Sequence, residues 1–82
     1  MTSQKIFVVE DDESIREIVV YALNSTGYEA EGFENGEEFF KVLEKNQPVL
    51  VLLDIMLPGS DGLTILKRLR NASRTQALQL FY

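Results

Sequence analysis

Val49-Leu50-Val51-Leu52-Leu53-Asp54 is an unbroken apolar run that stops at a carboxylate. A second run, ending Val8-Val9-Glu10-Asp11-Asp12, stops the same way. Short apolar runs without polar alternation read as central strands of a parallel sheet, buried on both faces. In open parallel sheets, chemistry sits outside the carboxyl ends of the strands. If these two strands are neighbours, Glu10, Asp11 and Asp54 converge on one crevice. Three carboxylates so placed repel each other unless a cation lies between them, and hard oxygen donors suit Mg²⁺.

The rest of the chain supplies crossovers. Lys5–Val9 predicts the first strand. Asp12 or Ser14 can cap the helix that follows, and Ser14-x-x-Glu17 fits a capping box. Ile15, Ile18, Val19 and Leu23, with Ala22, form its apolar stripe, and Gly27 marks its end. Tyr28–Phe33 alternates in period two, as a half-exposed edge strand does. Asn35-Gly36 is a turn, and Glu37–Lys45 predicts a second helix with Phe39, Phe40 and Leu43 inward. Asn46 and Pro48 end it. Val49–Asp54 is the third strand. Ile55–Asp61 is a loop shaped by Pro58 and Gly59. Gly62–Asn71 predicts a third helix with Leu63, Leu66 and Leu69 on one side and Asp61 as its cap. Ala77–Tyr82 predicts a fourth strand. The order is β-α-β-α-β-α-β, and right-handed crossovers then dictate a doubly wound α/β sheet with strand order 2-1-3-4.

Val8-Val9-Glu10-Asp11-Asp12-Glu13 and Leu53-Asp54-Ile55-Met56-Leu57-Pro58-Gly59-Ser60-Asp61-Gly62 together resemble the receiver domain of two-component response regulators. The second motif is most similar to receivers that control winged-helix DNA-binding regulators. The resemblance runs from about Lys5 to about Thr75. It implies a flavodoxin-like fold, with Asp54 accepting a phosphoryl group from a sensor histidine kinase. It also implies Mg²⁺ held by Asp11, Asp54 and the backbone carbonyl of Met56, with Glu10 acting through a water. Asp12 and Glu13 are read as helix-start residues.

The resemblance also exposes departures. Family receivers are about half as long again, with five strands and five helices. They carry a Ser or Thr after strand four and a Lys after strand five, and neither position occurs in residues 1–82. Arg16 is the nearest cation that could stand in for the lysine. Residues 1–82 are therefore expected to be one partial, C-terminally truncated receiver lacking the last strand and last two helices. Gln79-Leu80-Phe81-Tyr82 differs from the proline and β-branched residues the family carries there, which points to a frameshift or a deliberate truncation that the nucleotide sequence would reveal. A bare sheet edge and face predict a homodimer or higher oligomer. Phosphoryl acceptance is expected to be weak and signalling impaired. The alternative is a non-signalling half-domain that folds as an oligomer and keeps a vestigial metal site.

Composition narrows the remaining classes. The 82 residues carry a net charge of -5 and no cysteine. An acidic domain is a poor ligand for nucleic acid or anionic membrane, so the Lys67-Arg68-x-Arg70 cluster with Arg74 reads as a solvated helix face. Thiolate metal sites and disulfides are excluded. No signal peptide and no apolar stretch of roughly 18 residues is visible, which predicts a cytoplasmic protein. An enzyme of the haloacid-dehalogenase type needs an Asp two residues after its nucleophile, where this chain has Met56. A flavodoxin-like cofactor binder needs a phosphate-binding loop after strand one, where this chain has acids.

Overall fold

The computed structural model describes residues 4–54 and 61–82. Met56, Pro58 and Gly59 lie outside the described residues. Among the described residues, seven elements alternate in the expected order: β1 (Lys5–Val9), α1 (Glu13–Ser25), β2 (Glu29–Phe33), α2 (Gly36–Leu43), β3 (Leu50–Leu53), α3 (Asp61–Asn71) and β4 (Gln79–Phe81). All strand pairs are parallel, and the sheet order is β2-β1-β3-β4. The predicted strand order is therefore the observed one.

Period-two alternation sorts the strand side chains between two faces. Phe7, Val9, Phe33, Val51 and Leu53 turn to one face and form a core with Phe39 and Leu43 of α2 and Ile65 and Leu69 of α3. Phe39 is fully buried at its centre, with ring centroids 6.2 Å from Phe7 and 5.8 Å from Phe33, both edge to face. Among the described residues, helix α1 alone covers the opposite face, lying along β1 and β2.

Local chemistry sets the boundaries. Asp12, not Ser14, caps α1: its side chain accepts from the Ile15 N–H at 2.9 Å. The Ser14–Glu17 capping box is therefore not the start of the helix, which begins a residue earlier. Gly27 follows the helix at φ +98°, a left-handed conformation that glycine adopts without penalty. Asn35 caps α2 through the Glu38 N–H at 3.0 Å. Gly36 opens α2 where a Cβ would lie 2.8 Å from Ile65 Cδ1, so the α2–α3 contact depends on glycine there. Helix α3 includes Asp61 rather than starting after it.

Two helix faces differ from the sequence reading. No residue of α1 is buried, and Ile15 and Ile18 are 49% and 68% exposed. One helix on its own cannot enclose a four-stranded face. In α3 the inward set is Gly62, Ile65 and Leu69, with Leu66 half-buried, whereas Leu63 is exposed. Spacing of three then four follows the 3.6-residue turn, while the Leu63-Leu66-Leu69 spacing of three drifts around the helix.

The basic cluster does more than face water. Arg68 stacks on the Phe40 ring at 3.8 Å, and Arg70 donates to the carbonyls of Gln76 and Leu78 at 2.8 and 3.0 Å. Arg74 donates to the Glu44 carbonyl at 3.3 Å. These bonds tie α3 to α2 and to the segment entering β4.

Candidate functional site

The site lies where the β1 and β3 ladders run out. Val9 pairs with Leu53 as the last rung between them. One residue beyond, the Asp54 N–H donates to the Val9 carbonyl at 3.1 Å, and the Glu10 N–H donates to the Phe33 carbonyl at 3.0 Å. Each acid is thus fixed at the main chain by the neighbouring strand. Parallel pairing places both at the same edge of the sheet, as the two acidic strand ends predict.

Carboxylate oxygens of Glu10, Asp11 and Asp54 lie within 4.8 Å of one another. Glu10 and Asp54 are half-buried and Asp11 is exposed. Burial pushes the Glu10 carboxyl above the ordinary glutamate value. The Asp12 N–H, which donates to Glu10 Oε2 at 3.3 Å, works against that rise, and the carboxyls of Asp54 and Asp11 add to it. The cluster therefore carries unfavourable charge in water alone, and its donors are all hard oxygens on one side of a crevice. That donor set fits a divalent cation of the Mg²⁺ kind, which takes one or two carboxylates and leaves further positions to water and phosphate. The Met56 carbonyl, the further ligand implied by the family resemblance, lies outside the described residues.

The cluster opens onto a shallow cavity of about 300 Å³, walled on the apolar side by Ile15, Leu52, Phe81 and Tyr82. Asp54 stands at the junction of the acidic and apolar walls, reachable from solvent.

Arg16 takes a place that the sequence did not reveal. Its Nη1 donates to the Glu10 carbonyl at 2.8 Å and reaches the Asp11 carbonyl at 3.5 Å. Its stem lies over Gly32, where a Cβ would come within 2.8 Å of Arg16 Cγ. A glycine inside an edge strand was the available signal, since it often marks a close approach by another group.

The model for the response regulator receiver domain matches residues 6–80. The alkaline phosphatase synthesis transcriptional regulatory protein PhoP of Bacillus subtilis (strain 168) is 43% identical over 68 residues, which are 83% of this chain and 28% of PhoP. A crystal structure of a putative response regulator from Chloroflexus aurantiacus J-10-fl superposes with a TM-score of 0.88 at 33% identity, over 96% of this chain and 65% of that one. A chain in the crystal structure of the histidine kinase ThkA in complex with the response regulator protein TrrA matches with a TM-score of 0.81 at 35% identity, over 94% of this chain and 65% of that one. The chain thus spans less than a third of PhoP and about two thirds of these solved chains. With the family match running through both acidic strand ends, the chain belongs to the response regulator receiver domain family.

Proposed function

We propose that Asp54 accepts a phosphoryl group from a sensor histidine kinase, in a site that holds Mg²⁺ between Asp54 and Asp11, with Glu10 acting through a water. The observation that carries this reading is the convergence of the three carboxylates within 4.8 Å at the carboxyl end of the sheet. Asp54 supplies the nucleophilic oxygen. As the new O–P bond forms, the N–P bond of the donor phosphohistidine breaks. The electron pair stays on the imidazole, which takes a proton from water. The bond from the Asp54 N–H to the Val9 carbonyl holds the nucleophile's main chain still during the transfer. Bound Mg²⁺ supplies positive charge against the oxygens of the moving phosphoryl group. A kinase partner is supported by the ThkA–TrrA complex, in which a receiver relative meets a histidine kinase. The chain is a phosphoacceptor in this reading rather than an enzyme with its own substrate.

Intact mass after incubation with a small phosphodonor and Mg²⁺ tests it, beside an Asp54→Asn control. The expected result is a gain of one phosphoryl group that needs Mg²⁺ and disappears in the control. A folded wild-type sample that gains nothing would falsify the reading.

A cytoplasmic setting is part of the same proposal. Among the described residues no helix is long and apolar enough to cross a membrane. The net charge of -5 supports a chain that leaves nucleic acid to another part of its parent.

A homodimer or higher oligomer is supported by the thinly covered sheet face. Ile18, Phe81 and Tyr82 are each more than 60% exposed, and β4 stands at the end of the sheet. Light scattering on the 82-residue chain is expected to give at least twice the monomer mass. A monomer with a cooperative melt overturns this assembly.

A further inference from the structure

We infer that Arg16 is a positioning residue for the acid pocket, and that Gly32 exists to seat it. The inference rests on the reading that the pocket holds Mg²⁺. Arg16 Nη1 meets the Glu10 carbonyl at 2.8 Å and the Asp11 carbonyl at 3.5 Å. Those carbonyls belong to the two peptide units that flank the Asp11 Cα. A guanidinium nitrogen shared between them steadies the peptide planes on either side of Asp11, and so sets the direction in which its Cα–Cβ bond presents the carboxylate. The Arg16 N–H itself donates to the Asp12 carbonyl at 2.9 Å, so the side chain acts from the first turn of a capped helix. On the other side the stem is packed, not free. A Cβ at position 32 would come within 2.8 Å of Arg16 Cγ, 3.0 Å of its Cδ and 3.2 Å of Val20 Cγ2. The edge strand therefore gives up a side chain to let the arginine lie flat. The Glu10 main chain is also tied through its own N–H to the carbonyl of Phe33, one residue beyond Gly32. The second strand thus holds the pocket twice, once through its main chain and once through Arg16.

This role makes a prediction opposite to that of simple charge. Arg16 is a cation beside a cation site. If it acted only by its charge, removing it would tighten Mg²⁺ binding. If it positions Asp11, removing it loosens binding despite the lost repulsion.

The experiment is a Mg²⁺ titration of the labelled 82-residue chain, followed by the amide resonances of Asp11 and Asp54. Wild type is compared with Arg16→Ala, Arg16→Lys and Gly32→Ala. Arg16→Ala is expected to weaken Mg²⁺ on the order of 10-fold, as loss of a residue that orients a ligand does. Arg16→Lys, with the charge but not the planar fork, falls between. Gly32→Ala keeps the arginine and displaces it, so it weakens Mg²⁺ several-fold with no change in charge. Melting curves of the same samples separate this from a merely structural role, which lowers stability and leaves Mg²⁺ affinity intact. Should Arg16→Ala not fold, Arg16→Lys and Gly32→Ala decide alone. Affinities equal to or tighter than wild type overturn the inference and leave the proposed function standing. A wild-type chain that binds no Mg²⁺ overturns both.

Discussion

Phe39→Ala is expected to remove a large share of the folding stability of this chain. Phe39 is fully buried and packs edge to face on Phe7 of β1 and Phe33 of β2, with Phe40 at 5.0 Å beside it. Truncating a buried phenylalanine costs about 3–5 kcal/mol in lost transfer energy and cavity. Lost ring–ring contacts add about 0.5–1.5 kcal/mol for each pair. At roughly 0.05–0.15 kcal/mol per residue, a domain of this size holds only about 4–12 kcal/mol in total. The substitution removes a large share of it. Phe39→Leu keeps much of the volume and is expected to recover more than half of the loss. Urea midpoints of the three proteins decide the matter; an alanine variant melting with wild type would show that Phe39 is not the keystone of this core. The effect reaches function because β1 and β2, joined beneath by these rings, carry the main-chain anchors of Glu10.

If the site holds Mg²⁺ as proposed, the cation at about 100 times its dissociation constant is expected to raise the wild-type melting temperature at neutral pH by roughly 10–20 °C. A ligand at that level, bound to the folded state alone, adds about 2.7 kcal/mol. In a domain of this size each kcal/mol moves the melt by about 4–8 °C. The pH dependence without metal has the opposite sense from that of a salt-bridged carboxylate. Burial, with the neighbouring Asp54 and Asp11, raises the Glu10 carboxyl, so the folded state holds that proton more tightly than the unfolded chain does. This contribution is fully present below the ordinary glutamate value and is lost as the pH rises through the raised one. Metal-free protein is therefore expected to lose the Glu10 contribution on going from mildly acidic to neutral buffer, and bound Mg²⁺ would offset that loss. Asp54→Asn removes one of the charges facing Glu10. It is expected to stabilise the metal-free protein by a few tenths to about 1 kcal/mol, kept small by solvent screening, and to abolish most of the response to Mg²⁺. Thermal melts of both proteins with and without Mg²⁺ provide the check. A wild-type melt indifferent to Mg²⁺ would remove the cation from the site.

The strand order was legible because β1 and β3 are apolar without interruption and end in acids, and only neighbouring central strands bring such ends together. The three carboxylates were legible for the same reason: position at a strand's end is a sequence property once the strand is recognised. Helix phase was harder. Ile65, not Leu63, turns inward in α3, because three leucines at equal spacing mimic a face that the 3.6-residue turn does not keep. The apolar stripe of α1 states what a helix can bury, not whether enough partner surface lies against it, and its exposure was therefore not legible. Arg16 stood out in the sequence only as the nearest cation that could stand in for the family's lysine. Its partners are main-chain carbonyls, which carry no residue identity in a sequence, and its seat is a glycine one position from the end of an edge strand.

The Val9 carbonyl receives the Asp54 N–H just past the final rung of the sheet, and the Phe33 carbonyl receives that of Glu10. The pocket is thus assembled just past the last rungs of three parallel strands, each acid held there by one main-chain bond. A group gripping Glu10 and Asp54 together would join those strand ends a second time, through side chains. Occupation of the crevice is therefore expected to slow amide exchange at Glu10 and Asp54, whose N–H groups bond across the strand ends.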